Sequence, residues 1–106
     1  MVREFDSGAL SSSVTRWSYT KNASGSTTDI YNSKIYIVDY STSGGYFGTF
    51  FMDYYSINTG TTRKFRAADG VVITVGRNVN IDNNTSFKGT EWGISGGSLV
   101  RIRGYH

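Results

Sequence analysis

Residues that favour β-strands greatly outnumber helix formers in this 106-residue chain. Val, Ile, Thr, Tyr, Phe and Trp account for 44 residues, whereas Ala, Leu, Glu, Lys, Gln and Met account for only 14. Branched and aromatic side chains pack well on a pleated, half-buried surface, and a helix would lack its usual residues. The sequence therefore predicts an all-β fold and argues against helical bundles and βαβ nucleotide-binding folds.

Length and composition predict a single domain, residues 1–106, with its own core. The chain is 38% hydrophobic, 15% aromatic and 18% charged, which is typical of a folded rather than a disordered sequence. It contains no cysteine and no proline, so no disulfide stabilises it and no proline blocks the end strand of a sheet. We expect the sheet edges to be protected by charge, by β-bulges or by a partner subunit.

Short apolar segments separated by Gly, Ser, Asn and Asp predict about eight to nine strands, as in an antiparallel β-sandwich or a small barrel. The turn signals at 58–60 and 69–70 predict hairpins, and the last two strands are expected to pair across 95–98. Gly48 lies inside a predicted strand, which indicates a bulge or a close backbone contact. The predicted strands are 14–20, 34–40, 46–55, 61–67, 71–75, a short one at Val79 and Ile81, 91–94 and 99–105.

Two of these strands, 34–40 and 46–55, have apolar or aromatic side chains on both faces. In the first, Ile35 and Ile37 alternate with Tyr36, Val38 and Tyr40. A lone sandwich with one face in water would have more polar positions along such strands. We therefore expect the second face to be covered, which favours a binding or assembling module.

No pattern in the sequence predicts catalysis, a metal or a cofactor. The single histidine is His106, at a terminus that would hold a general base poorly. Zinc-ligand spacings and glycine-rich phosphate loops are absent from the sequence. Asp53 is the carboxylate that turn chemistry explains least, but no spacing predicts a pair of catalytic acids. We predict that the protein is not an enzyme.

The N-terminal residues carry charges where a signal peptide would need an apolar segment. Nothing in the sequence approaches the length of an apolar membrane span. The sequence therefore predicts a soluble protein without membrane insertion or a visible export signal.

Eight tyrosines and two tryptophans are the most unusual feature of the composition. Such rings combine an apolar surface with a polar tip, which suits both sugar stacking and protein interfaces. Residues next to Gly or a turn are the candidates for exposure, and Asn or Arg side chains would bind sugar hydroxyls. The predicted ligand-binding residues are Tyr46, Tyr54, Tyr55, Trp92, Arg63, Arg66 and Asn83.

The two ends of the chain resemble β-sandwich modules of phage tail fibres and of H-type lectins. The resemblance lies in Phe-Asp-Ser-Gly at 5–8, the Ser-rich stretch and Trp-Ser-Tyr at 17–19, and Glu-Trp-Gly-Ile at 91–94. It implies an antiparallel sandwich that forms a homo-oligomer, with a trimer favoured, and contacts a cell-surface glycan or protein receptor. A virion-associated structural role without a sugar site is a closely related expectation. No binding residue is transferred from the resemblance.

The basic cluster Arg63-Lys64-Phe65-Arg66 favours an alternative function, binding of single-stranded nucleic acid by a small β-barrel. Its cations, with Arg101 and Arg103, would contact phosphates, and Phe65 or Tyr105 would stack on bases. The net charge of +3 is too small to decide between this function and a solvated surface.

Overall fold

The computed structural model describes residues 3–20, 35–53, 62–77 and 89–105. Within these ranges the chain forms eight strands and no helix, and the strands build two four-stranded antiparallel sheets. The predicted all-β sandwich is therefore confirmed. The strands are β1 (Arg3–Asp6), β2 (Arg16–Thr20), β3 (Ile35–Thr42), β4 (Phe47–Asp53), β5 (Arg63–Ala68), β6 (Val71–Arg77), β7 (Gly89–Ser95) and β8 (Gly97–Tyr105).

Sheet A has the strand order β1-β8-β3-β4, and sheet B has the order β2-β7-β6-β5. Ring contacts fix how the sheets lie on each other. Phe5 of β1 stacks on Trp17 of β2 with ring centroids 5.9 Å apart, and Phe50 of β4 lies 5.7 Å from Phe65 of β5. The sandwich therefore has two rims, one formed by β1 and β2 and the other by β4 and β5.

Alternating side chains build the core between the sheets, because successive residues of a strand point to opposite faces. In β3 the inward residues are Tyr36, Val38 and Tyr40, which the sequence pattern placed together on one face without showing which face is buried. β6 contributes three more branched residues. The buried apolar residues are Phe5, Tyr36, Val38, Tyr40, Met52, Val71, Ile73, Val75, Trp92, Ile94, Leu99 and Ile102.

The expected pairing of the last two strands was wrong. β7 pairs with β2 and β6, whereas β8 pairs with β1 and β3, so the chain crosses from sheet B to sheet A at Gly96. Gly96 has a φ of 81°, and a side chain there would collide with the carbonyl oxygen of Gly70. Only glycine fits this close, left-handed crossing, which the sequence pattern had presented as an ordinary hairpin loop.

The expected hairpin between β4 and β5 was also wrong, because these strands belong to different sheets. The turn residues 58–60 and the short strand at Val79 and Ile81 lie outside the described residues. The hairpin at Asp69 and Gly70 is confirmed, with Gly70 at a φ of 73° between β5 and β6. Strand β1 was missed because its four residues show little alternation.

Irregularities in the ladders explain two further differences from the sequence pattern. A register shift between β3 and β8 turns Leu99 inward together with Ile102, although simple alternation had placed them on opposite faces. Gly48 causes no bulge, because the β3–β4 register runs unbroken. Instead, a Cβ at Gly48 would lie 2.5 Å from the ring of Tyr40, so the close neighbour of Gly48 is a side chain and not another backbone segment.

No helix in the described residues is long and apolar enough to cross a membrane.

Candidate functional site

The structure separates the ligand-binding residues that the sequence predicted. Tyr46 is 75% exposed in the turn between β3 and β4. Arg63 and Arg66 are exposed on β5, in the other sheet but at the same rim of the sandwich. Three of the predicted residues lie outside the described ranges, so their part in a site stays a prediction: Tyr54, Tyr55 and Asn83.

The expected exposure of Trp92 was wrong, because this side chain is only 2% accessible. β7 is an inner strand of sheet B, and alternation along it turns Trp92 towards sheet A. The ring lies 5.8 Å from that of Tyr36, and its Nε1 donates a hydrogen bond of 2.8 Å to Thr90 Oγ1. Trp92 is therefore a core residue whose polar atom is satisfied.

Strand β4 presents two large aromatic side chains to solvent that were not among the predicted site residues. Phe47 is 79% exposed and Phe51 is 63% exposed. Both point to the outer face of sheet A, because they alternate with the inward residues Gly48, Phe50 and Met52. The sequence hinted at these exposed rings, because this strand has apolar residues on both faces. It did not show which of the two faces is exposed to solvent.

Each sheet has two end strands within the described residues, and three of the four are protected against further pairing. β1 has four residues and a register shift, and β2 has five residues that begin with Arg16. β5 carries Arg63, Lys64 and Arg66 and has a register shift. Short length, bulges and positive charge all oppose the addition of another strand. This confirms the expected protection by charge and bulges at these edges.

β4 has none of these protections. It is seven residues long, it lacks Lys, Arg and Pro, and its register with β3 is unbroken from Ile35 opposite Asp53 to Ser41 opposite Phe47. An end strand of this kind turns one row of backbone N–H and C=O groups away from its sheet, where another strand can pair with it. The length, regularity and exposed rings of β4 make it the candidate interaction edge.

β5 lies directly against this edge. Phe50 and Phe65 are both half-buried and in contact, and Tyr40 Oη donates a hydrogen bond of 3.3 Å to the carbonyl oxygen of Ala67. The rim formed by β4 and β5 therefore combines an apolar edge with an exposed basic strand. We call this the β4/β5 rim.

Among the described residues, the two rings that the sequence assigned to base stacking do not lie beside the cations of β5. Phe65 is packed against Phe50 in the core rather than presented beside the cations. Tyr105 lies on β8 in sheet A, half-buried opposite Ile35, and so is not next to Arg63 or Arg66. The structure thus separates Arg63 and Arg66 from both rings, whereas Arg101, Arg103 and Tyr105 alternate along β8 and share the outer face of sheet A. Binding of nucleic acid therefore stays a prediction.

The other half of the outer face of sheet A is covered by ion pairs. Asp6 accepts hydrogen bonds from Arg101, with Nε 2.9 Å from Oδ1, and from Arg3 and the backbone N–H of Gly8. The Arg101 hydrogen bond holds the pKa of Asp6 far below its ordinary value, and burial of the carboxylate opposes this shift. The same hydrogen bond raises the pKa of Arg101.

A second ion pair continues this network towards β4. Arg103 NH2 donates to Asp39 Oδ2 at 2.9 Å, and Thr49 Oγ1 donates to Asp39 Oδ1 at 2.7 Å. The polar network thus reaches β4 at Thr49, between the exposed rings of Phe47 and Phe51. The charged side chains are occupied with each other, and the aromatic part of the face is not covered by them.

The outer face of sheet B contains a small polar depression of about 160 Å³. It exists because Gly93 has no side chain, and a Cβ there would lie 2.6 Å from Thr74 Oγ1. The polar residues around it are Arg16, Ser18, Thr62, Thr74 and Glu91.

In the described part of the chain, no three His, Cys, Asp or Glu residues converge as metal ligands would. The β4/β5 rim offers backbone hydrogen bonds, aromatic contact and positive charge. No family model matches the chain, and neither curated proteins nor solved structures give a significant match.

Proposed function

We propose that this chain is a non-catalytic binding and assembly module that captures an extended polypeptide segment along β4. The observation that supports this most strongly is the contrast between β4 and the three protected end strands. β4 is long, regular and uncharged up to its last residue, and it carries the exposed rings of Phe47 and Phe51. Proteins usually prevent such an edge from pairing unless pairing is its purpose.

The captured segment would form a fifth strand of sheet A. Seven residues paired in antiparallel fashion make about six to eight backbone hydrogen bonds, because paired residues alternate between bonded and non-bonded positions. Every second side chain of the segment would lie beside Phe47, Thr49 and Phe51 on the outer face. The remaining side chains would approach Phe50, which is half-buried at the rim. Backbone bonds give affinity in this mode, and the side-chain contacts give selectivity.

A neutral strand peptide tests the proposal. The probe is a capped peptide of seven residues, the length of β4, in which Gln and Val alternate. We expect isotope-labelled protein to show chemical-shift changes and slower hydrogen exchange at β4 amides when the peptide is added. Phe51→Lys should weaken binding at least about tenfold, because a lysine on an end strand opposes pairing.

Ser18→Lys is the matched control, because Ser18 is exposed on β2, an end strand at the opposite rim. Its affinity for the peptide should stay within about twofold of the wild type. Absence of peptide binding, or equal binding by Phe51→Lys, would overturn the proposed function. The homo-oligomer expected from the sequence, with a trimer favoured, stays a separate prediction, which light scattering tests.

A glycan receptor is the second candidate, and the polar depression at Gly93 favours it. Hydroxyl, guanidinium and carboxylate groups surround a space large enough for one small polyhydroxyl ligand. Titration with methyl glycosides should then shift the amides of residues 91–93, and Glu91→Gln should reduce the shifts. The resemblance to tail-fibre and lectin modules also supports this candidate. If saturating concentrations of glycosides caused no chemical-shift change at these amides, the glycan-receptor function would be excluded.

A further inference from the structure

We infer that the segment captured along β4 is β4 of a second copy of this chain, so that two copies form a symmetric dimer. This inference rests on the proposed function and names its partner. The two strands would pair about a two-fold axis through Thr49 and join both copies of sheet A into one continuous sheet. The observation behind it is that the outward side chains of β4, Phe47, Thr49 and Phe51, form the same pattern in both directions from Thr49.

The hydrogen bonds at the turn between β3 and β4 determine which backbone groups of β4 are open. The N–H of Thr42 donates to the carbonyl oxygen of Tyr46 at 2.7 Å, so these two residues form a hydrogen-bonded pair. Such pairs alternate with non-bonded pairs along an antiparallel ladder, and the register is unbroken to the end of β4. The even-numbered residues of β4 are therefore bonded to β3. The odd-numbered ones, among them Phe47, Thr49 and Phe51, direct their N–H and C=O groups to the open edge.

A two-fold axis through Thr49 makes this edge complementary to itself. Each Phe47 then lies opposite Phe51 of the other copy, and the two Thr49 residues lie opposite each other. All three are hydrogen-bonded pairs, which together make about six backbone hydrogen bonds. Aromatic pairs and Thr–Thr pairs both stabilise neighbouring strands. A two-fold interface requires such self-complementarity, because the same surface patch serves both copies.

The inward residues of β4 suit the same register. Phe50 would lie opposite Gly48 of the other copy, so the two half-buried Phe50 rings would not occupy the same position at the rim. An axis moved by one residue, to Phe50, would place Phe50 opposite itself and Phe47 opposite Asp53. An axis through Phe51 would leave Phe47 beyond the end of the other strand. The axis through Thr49 is therefore the one that pairs all four exposed rings with each other.

The charges of the rim do not oppose this dimer at the paired strands. β4 has one charged residue, Asp53, which lies at the end of the ladder and far from its counterpart in the Thr49 register. The two β5 strands would come near each other in the second layer, but Lys64 and Arg66 alternate with the inward Phe65. They therefore point from the outer face of sheet B, away from the paired edges. Because the paired edges are uncharged, we expect dimerisation that salt does not weaken.

Two double variants of the exposed rings test the inference. In the Thr49 register, Phe47→Lys/Phe51→Lys places a lysine opposite a lysine twice, and Phe47→Lys/Phe51→Glu places a lysine opposite a glutamate twice. Both variants remove the same two exposed rings, so circular dichroism should show the wild-type fold. They differ in whether the opposite side chains repel or attract each other, which makes Phe47→Lys/Phe51→Glu the matched control.

Sedimentation equilibrium between about 5 µM and 1 mM measures the association, since this range covers weak interfaces of small area. We expect the wild type to form a dimer rather than the trimer favoured by the sequence, because pairing about a two-fold axis leaves no open β4 edge for a third copy. Phe47→Lys/Phe51→Lys should weaken dimerisation at least about tenfold at about 50 mM salt. Phe47→Lys/Phe51→Glu should dimerise at least about tenfold more tightly than Phe47→Lys/Phe51→Lys, and this difference should shrink at about 1 M salt.

Isotope-filtered nuclear Overhauser spectra of mixed labelled and unlabelled wild-type chains test the register. The α-carbons of non-bonded pairs in an antiparallel ladder are about 4.5 Å apart, so their α-protons are in contact. The Thr49 register predicts such a contact between Gly48 of one copy and Phe50 of the other. A contact between the two Phe50 residues would instead place the axis at Phe50 and overturn the inferred pairing.

The possible failures are distinct. A chain that stays monomeric at about 1 mM but binds the neutral strand peptide would overturn the dimer and leave the proposed strand capture standing. A monomer that does not bind the peptide would overturn both. A dimer that Phe47→Lys/Phe51→Lys keeps at wild-type strength would use another surface, and a trimer would need a contact other than the β4 pair. Either result would overturn the inference.

Discussion

The two edges of sheet A differ in almost every property that governs strand pairing. β1 has four residues and a register shift, and ion pairs from Asp6 to Arg3 and Arg101 lie over it. β4 has seven residues in unbroken register, and Phe47 and Phe51 are exposed on it. As far as the described ranges show, one sheet therefore contains a closed edge and an open edge. Since the same sheet can protect an edge, the absence of protection at β4 is informative.

The aromatic side chains at these edges show the same contrast. Phe5 on β1 is 6% accessible and packs between Trp17, at 5.9 Å, and Tyr36, at 6.2 Å. Phe51 on β4 has no comparable ring contact among the described residues and is mostly in water. A phenylalanine stabilises the folded chain at one edge, whereas at the other it is available to a partner.

The largest expected effect tests this contrast directly. Phe5→Ala should lower the free energy of unfolding by about 3–5 kcal/mol, because it removes a buried ring and leaves a cavity. Phe51→Ala should change it by no more than about 0.5 kcal/mol, as is usual for an exposed side chain. Urea unfolding of both variants without any peptide measures the difference. A cost above about 1.5 kcal/mol for Phe51→Ala would mean that the chain itself covers this ring.

Removing the negative charge of Asp6 at the β1 edge should have the next largest effect on the free energy of unfolding. Asp6→Asn should cost about 1.5–3 kcal/mol at neutral pH, because Asp6 receives hydrogen bonds from two arginines and the backbone of Gly8. Asp69→Asn is the control for the loss of one negative charge. Asp69 is an exposed turn residue, and Asn suits the same turn, so a change within about 0.5 kcal/mol is expected.

The pH dependence of this effect follows from the direction of the shift. The folded-state pKa of Asp6 is lowered below that of an unfolded Asp, near 3.9. Its stabilisation is therefore complete well above pH 4 and is lost progressively as the pH falls below that value towards the folded-state pKa. Urea unfolding between about pH 7 and pH 2 should show a smaller loss for Asp6→Asn than for the wild type. If the free energies of unfolding of both proteins changed with pH in parallel, the charge of Asp6 would not stabilise the β1 edge.

The sequence predicted most of the strands and which residues of a strand share a face. Alternation in 34–40 placed Tyr36, Val38 and Tyr40 on one face, which the structure buries, and the turn at Asp69 and Gly70 was correct. These features depend on the period of a strand and on local turn chemistry, which a single sequence contains.

The sequence did not show which sheet each strand joins, and this determined the site. Trp92 was expected at the surface because glycine follows it, but an inner strand of sheet B holds it in the core. Phe47 and Phe51 could not be told from inward residues, since both faces of 46–55 read as apolar. Long-range pairing decides such questions, and glycines at close crossings such as Gly96 look like loop residues in the sequence.

We expect the inner face of β4 to be tightly packed, in contrast to its solvent-exposed outer face. Gly48→Ala would place a Cβ 2.5 Å from Tyr40, whose buried ring is also held by its hydrogen bond to Ala67. We expect a net cost of about 1–2 kcal/mol from overpacking, after the smaller entropy of the unfolded alanine chain. Gly44→Ala is the control, since its Cβ would meet only the Tyr46 ring and Thr42 at 3.6 Å or more. If Gly48→Ala changed the free energy of unfolding as little as Gly44→Ala, the inner side of β4 would not be tightly packed either.

The smallest effect is expected where the closed and open parts of sheet A meet. Thr49 is the β4 residue whose hydroxyl joins the ion-pair network, through its bond of 2.7 Å to Asp39. Thr49→Val keeps a branched side chain and removes that bond, so we expect a loss of only about 0.5–1 kcal/mol. Binding of the neutral strand peptide should stay within about twofold, because the backbone edge and both exposed rings are unchanged. If Thr49→Val instead weakened peptide binding as strongly as Phe51→Lys, the polar network would be part of the binding edge. The β1 and β4 edges would then differ only in how much the ion-pair network contributes to each of them.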